Sequence, residues 1–265
     1  FPIRKKPISL RPVLTNLETA TNYNQIYEEL SKLSLCIYTP SNYIFPSKMQ
    51  KYIELTHNKG NELTQTGREQ GIRKLMSVNL LKRLESSVNS FQLTLQRIYN
   101  LINDTVDKIN RFEQSGTSSI DMYESADTEW DIDDSNTEYF TVGNKVQIDL
   151  ADMDYKTWRS ELTSDLEVLN DLMSMLNVIT PKYDGKLQSL LKVISDKIEN
   201  PINRKNKKVL IFSAFSDTAE YLYEHVSTYI KDKYGLNTAV ITGSIDGKTT
   251  IKNFKATVNN VLTCF

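Results

Sequence analysis

The stretch TGSIDGKTT, Thr242–Thr250, holds the residue types best suited to chemistry: two glycines, a lysine and adjacent threonines after an apolar run. A phosphate-binding loop needs four residues between its glycines so that a ring of backbone amides can close on the anion. Here Gly243 and Gly247 enclose Ser244, Ile245 and Asp246, one residue too few, and Asp246 sets a carboxylate where a phosphate would lie. The spacing therefore predicts a turn with a helix cap, and a surface Lys248. His57 and His225 are the only histidines, and neither belongs to a Cys/His ligand cluster. The acidic residues of 121–138 lack the D-x-D-x-D-G spacing of a calcium loop. No G-x-S-x-G or H-E-x-x-H is present, so these residues alone hold no complete catalytic constellation. Arg73, Lys82 and Arg83, with Arg68 and Lys74, form a basic run that suits phosphates, a neighbouring acidic surface or a solvated helix face.

Composition sets the frame for these groups. With 265 residues the chain can bury a sizeable core, and 39% hydrophobic with 25% charged residues is ordinary for a globular protein. The formal net charge of -1 gives no global attraction to nucleic acid, so any such contact must be local. Cys36 and Cys264 are too few for a disulfide framework, and no apolar run reaches the roughly 20 residues that span a bilayer. A reducing, cytoplasmic setting without a membrane follows as the expectation. The chain opens at Phe1 and closes on VLTCF, which predicts a piece of a longer protein.

Long helices must position most of the chain. Arg4, Lys5, Lys6 and Arg11 among three prolines suit an extended lead-in. Ile26, Leu30 and Leu33 predict one helix ended by Pro40, followed by a loop around Gly60 and Gly67. Leu81, Leu84, Val88, Phe91, Leu95, Ile98 and Ile102 then alternate three and four apart, an a/d seam that cannot be buried alone. Leu162, Leu166, Leu169, Met173 and Leu176 repeat the alternation and supply the partner. Between them 113–144 carries nine acidic residues and no Lys or Arg, as a mobile tip would. Asp184 predicts the cap of a helix bearing Leu187, Leu190, Leu191, Ile194 and Ile198. Val209–Phe212 and Thr238–Ile241 read as buried strands around a helix capped by Ser216 or Asp217 and ended at Gly235, with a further helix in GKTTIKNF. The expected fold class is thus mixed α and α/β: a long antiparallel helical hairpin plus a truncated parallel β-α-β part.

KKVLIFSAFSDTAEYL with TAVITG resembles the start of the second RecA-like lobe of superfamily-two helicases, nearest the Swi/Snf-type ATPases and their bacterial relatives. IRKLMSVNLLKRLESSVNSFQLTLQRI is similar to the helix that projects between the two lobes in those relatives, and GKLQSLL also fits. The likeness covers Arg68–Ile98 and Lys182–Phe254, under half of the chain. It implies an order of 1–67 from the end of the first lobe, 68–180 as the helical insertion with its acidic tip, and 181–265 as the opening of the second lobe. It also implies a DNA- or RNA-dependent ATPase, a helicase or translocase, whose lobes close on ATP and magnesium. Ser213, Phe215 and Ser216, with Thr242, Gly243 and Ser244, then match segments that approach the phosphate backbone, although Ser216 and Ser244 suit plain helix caps equally.

The departures from the pattern are as informative. No P-loop, D-E-x-H box or arginine finger occurs, and the arginine usual in the helix after Thr-Gly is missing, with Lys248 and Lys252 nearby instead. The chain by itself is therefore expected to bind ATP poorly and not to hydrolyse it, its partners being nucleic acid and the missing lobes. Self-association through an exposed sheet edge, TAVI or NNVLTCF, is a further expectation. A non-catalytic helical protein-interaction module is the alternative reading.

Overall fold

The structure is a computed structural model that describes residues 3–18, 20–57, 65–115, 119–121, 147–243 and 247–265. Helices α1 (Tyr23–Leu30), α2 (Pro46–His57), α3 (Gln65–Ser86), α4 (Val88–Ser115), α5 (Tyr155–Asn177), α6 (Gly185–Glu199), α7 (Ser216–Tyr234) and α8 (Val258–Cys264) carry most of it. Four short strands form two antiparallel pairs: β1 (Ser119–Asp121) with β2 (Gln147–Asp149), and β3 (Ala239–Val240) with β4 (Lys248–Thr249). The molecule is mostly helical.

The hairpin is present and antiparallel. Phe112 near the end of α4 meets Tyr155 at the start of α5 edge-on, 5.3 Å between ring centres. Arg159 donates to Asn110 at 3.1 Å and pairs with Glu113 at 2.5 Å beside them. Leu84, Val88, Phe91, Leu95, Ile98 and Ile102 of the seam are buried, as are Leu162, Leu169 and Leu176 opposite. Burial of each such side chain contributes about 1.5–3 kcal/mol.

Leu81 departs from the seam and stays 38% exposed. The cause is a break: the single helix expected from the seam is two. Ser87 caps α4, its hydroxyl accepting the Ser90 N–H at 3.0 Å.

The N-terminal third is more irregular than its periodicity suggests. α1 ends at Leu30, and 3-10 turns at Cys36–Tyr38 and Pro40–Tyr43 follow. Leu35 sits there at φ 52, a region costly for a side chain, while its own side chain is buried. Asp165 of α5 braces the turn by accepting the Ser34 N–H at 2.7 Å and hydroxyl at 2.9 Å. Burial holds the Asp165 carboxyl above its usual value and pushes the neighbouring Cys36 thiol up to about 12.

Hydrophobic side chains fall into two clusters. One runs from Leu14 to Ile179 and joins the N-terminal helices to the hairpin. The other holds Leu187, Ile194, Ile198, Val226 and Ile230 between α6 and α7. Asp184 ties both regions together. It caps α6 by accepting the Lys186 and Leu187 N–H groups at 2.9 Å each, and it accepts the Tyr221 hydroxyl of α7 at 2.9 Å. The lead-in arrives antiparallel to Tyr183–Gly185: Thr15 bridges Asp184, and the Gly185 N–H reaches the Leu14 carbonyl at 3.2 Å.

The C-terminal part corrects several expectations. Val209–Phe212 has no regular secondary structure and makes no strand pairing among the described residues, with Leu210 61% and Phe212 89% exposed. Ala239–Val240 is a strand, yet its partner is the antiparallel Lys248–Thr249, so the described residues form no parallel β-α-β pairing. Lys248 therefore sits in a strand rather than opening a helix, which removes the helix start that a phosphate loop needs. Asn259–Cys264, read as a strand edge, lies in α8, whose cap Thr257 accepts the Asn260 N–H at 3.3 Å. Its alternative as an adhesive edge disappears with that helix. α7 ends at Gly235 in the left-handed conformation, φ 65, as its sequence predicts. Most of the acidic stretch, including Trp130, Tyr139 and Phe140, lies outside the described residues.

Candidate functional site

The break between α3 and α4 receives the first turn of α7. Arg83 is fully buried, and its Nη1 donates to Asp217 Oδ2 at 2.9 Å and to the Ser90 hydroxyl at 3.1 Å. Arg97 reaches the same carboxylate oxygen at 3.4 Å. The Thr218 hydroxyl lies 2.8 Å from that of Ser86 and 2.9 Å from that of Ser87. The Phe215 ring packs beneath the Arg83 guanidinium, 4.6 Å from ring centre to Cζ. Asp217 also gains from its place in the first turn of α7, where the helix dipole favours negative charge. A carboxylate, the Ser90 hydroxyl and an aromatic face thus meet the buried guanidinium.

A cleft of about 670 Å³ opens beside this joint. Its apolar lining includes Leu10, Leu190, Val193 and Ile211, and its polar end includes Asp184, Lys186 and Tyr221. Burial lowers the Lys186 ammonium below its usual value, against the pull of Asp184 and Glu85. Its Nζ donates to the Glu85 carbonyl. Burial, reinforced by Asp184, raises the Tyr221 hydroxyl, so it stays protonated and remains a donor to that carboxylate.

The candidate phosphate contacts divide across these features. Lys82 and Ser213 are exposed at the cleft, and Phe215 lines its floor. The Ser213 hydroxyl is turned onto its own loop, accepting the Phe215 N–H at 3.1 Å and donating to the Phe215 carbonyl at 3.0 Å. Arg73 is exposed on α3, away from the cleft lining. Thr242 and Gly243 follow β3 and are likewise outside that lining, and Ser244 lies outside the described residues. Two candidates are corrected. Arg83 is 0% exposed and engaged with Asp217, so it does not face an external phosphate. Ser216 is buried as the first residue of α7, and the cap position belongs to Phe215, which makes no side-chain capping bond.

Sequence reasoning missed Asp217 and Thr218 as partners of the helix break. The available signal was Arg83 itself, which lies three residues after Leu80 and next to Leu84, on the buried stripe rather than opposite it. No group of three or more His, Cys, Asp or Glu among the described residues could hold a metal, and Gly247–Thr249 leads into a strand. No helix among the described residues is long and apolar enough to cross a membrane. No family model matches the chain, and no curated protein or solved structure matches it significantly.

Proposed function

We propose that the chain is part of a nucleic-acid-dependent ATPase of the helicase-like class, spanning the inter-lobe helical insertion and the opening of the second RecA-like lobe. One observation carries this reading: the two sequence stretches that resemble that class meet in space. KRLESS contributes Arg83, Ser86 and Ser87, SDTAEYL contributes Asp217 and Thr218, and they bond directly across more than 130 residues of sequence. A joint of that kind would transmit lobe motion into the insertion.

The exposed apolar run Val209–Phe212 adds support. Four strand-forming residues left largely in water favour completion by neighbouring strands, so the parallel sheet forms only with the rest of the lobe. Nucleic acid would lie along Lys82, Ser213, Thr242 and Gly243, while ATP and magnesium would be held by residues of the missing lobes.

The coding sequence upstream of Phe1 tests this reading. It should contain G-x-x-x-x-G-K-[ST] followed by an Asp-Glu box within a few hundred codons. If it does not, the motor reading fails and the helical interaction module replaces it.

A further inference from the structure

Two basic stretches 200 residues apart in sequence meet through one asparagine. Asn203 Oδ1 accepts the Ile3 N–H at 2.8 Å, and its Nδ2 donates to the Ile3 carbonyl at 3.2 Å. This side-chain amide thus pairs with a backbone residue as a strand neighbour would. Arg4, Lys5 and Lys6 follow Ile3 directly, and Arg204, Lys205, Lys207 and Lys208 follow Asn203. All seven cations are exposed, and none has an ion-pair partner among the described residues.

The turn that presents the second group is held in place. Asn206 N–H reaches the Asn203 carbonyl at 3.0 Å, and Lys197 of α6 donates to the Asn206 carbonyl at 3.0 Å. Lys205 occupies the left-handed region at φ 66, a conformation that costs a lysine stability. Arg4 and Arg204 each directly follow a member of the hydrogen-bonded Ile3–Asn203 pair, so the two groups start from one point, where like charges are screened only over about 8 Å at physiological salt. Their mutual repulsion opposes folding of the free chain.

We propose that this seven-cation patch binds the phosphate backbone of a nucleic acid. A polyanion with closely spaced charges relieves the repulsion and releases its own counterions on binding. The net charge of -1 hides the patch, because nine of the 33 carboxylates lie within 113–144 and the remainder carries 32 cations against 24 acids. The cations sit on the lead-in and on a turn rather than on an amphipathic helix that could enter a bilayer. The choice of nucleic acid among polyanions rests on the functional reading above.

Fluorescence anisotropy of a labelled duplex of about 30 base pairs, titrated with the 265-residue chain without nucleotide at several salt concentrations, tests the patch. Lys5→Glu/Lys6→Glu and Lys205→Glu/Lys207→Glu should each weaken binding about tenfold or more and flatten the log–log salt slope by about two. Asn203→Ala, which changes no charge, should weaken binding several-fold by separating the two groups. The patch is overturned if these variants bind as the parent chain does while Arg73→Glu/Lys82→Glu does not; the functional reading then still stands. It is also overturned if the parent chain ignores the duplex, or prefers vesicles of anionic lipid at the same salt. The upstream coding sequence judges the functional reading separately in either case.

Discussion

Arg83 Nη1 and Asp217 Oδ2 lie 2.9 Å apart, with the arginine fully buried and the aspartate side chain 14% exposed. This pair joins the break in the long helical arm to the first turn of α7. Arg83→Ala should destabilise the chain by about 3 kcal/mol, because it leaves a mostly buried carboxylate with only the more distant Arg97 and opens a hole. Denaturant unfolding checks the value. A double-mutant cycle with Asp217→Ala should return a coupling of about 0.5–3 kcal/mol; additive losses would mean that the pair is not a joint.

Gly185 tests the lead-in. A Cβ there would meet the Val13 carbonyl oxygen at 2.3 Å, which is backbone and cannot swing aside. Gly185→Ala should cost about 1–3 kcal/mol and release Leu14–Asn16 from Tyr183–Gly185. Hydrogen exchange would show the release at the Asn16 and Gly185 amides, both hydrogen-bonded in the parent chain.

Asp152 gives the fold an acid limb. Lys51 donates to it at 2.7 Å and Tyr52 at 2.8 Å, and these bonds hold its carboxyl below the usual aspartate value. A depressed carboxylate stabilises the fold fully above its unfolded value, about pH 4, and loses that contribution as pH falls through its folded value. The stability gap between the parent chain and Asp152→Asn should therefore narrow below about pH 4. Urea midpoints across the acid range check it; a gap independent of pH would refute it.

Asp165 behaves oppositely. Its raised value means that ionisation costs the fold stability as pH rises through the folded value. Asp165→Asn relieves that cost and keeps an acceptor for the Ser34 N–H, whereas Asp165→Ala leaves that group unmet. The alanine variant should lose about 2–3 kcal/mol at neutral pH, and the asparagine variant clearly less.

The helical half was legible because its signal is periodic. Six of the seven seam positions from Leu81 to Ile102 are buried, and the matching stripe on α5 faces them. The break at Ser87 was not, because a serine cap inside an uninterrupted apolar period leaves that period unchanged. Arg83 belongs by sequence to a basic run that suits phosphates, an acidic neighbour or solvent, and its helical phase with Leu80 and Leu84 is what marks it as buried. The C-terminal half was harder because a strand is defined by its partner. Val209–Phe212 has strand-forming residues and no strand pairing among the described residues, and Val258–Cys264 satisfies its backbone locally as a helix instead. The Asn203–Ile3 contact joins positions whose meeting no periodicity encodes.

Phe212 gives a contrast between the isolated chain and its proposed context. At 89% exposure, Phe212→Ser should change the stability of this chain by less than about 0.5 kcal/mol. Denaturation of the isolated chain measures this, and a larger loss would mean that the segment is already packed.

ATP hydrolysis by the longer protein proposed to contain this chain, with and without duplex nucleic acid, probes the central claim most directly. The account predicts hydrolysis that rises about tenfold or more with nucleic acid, falls in Asp217→Ala and Phe212→Ser, and is absent from residues 1–265 alone. A complete protein that hydrolyses no ATP, or a 265-residue chain that hydrolyses it unaided, would contradict the account.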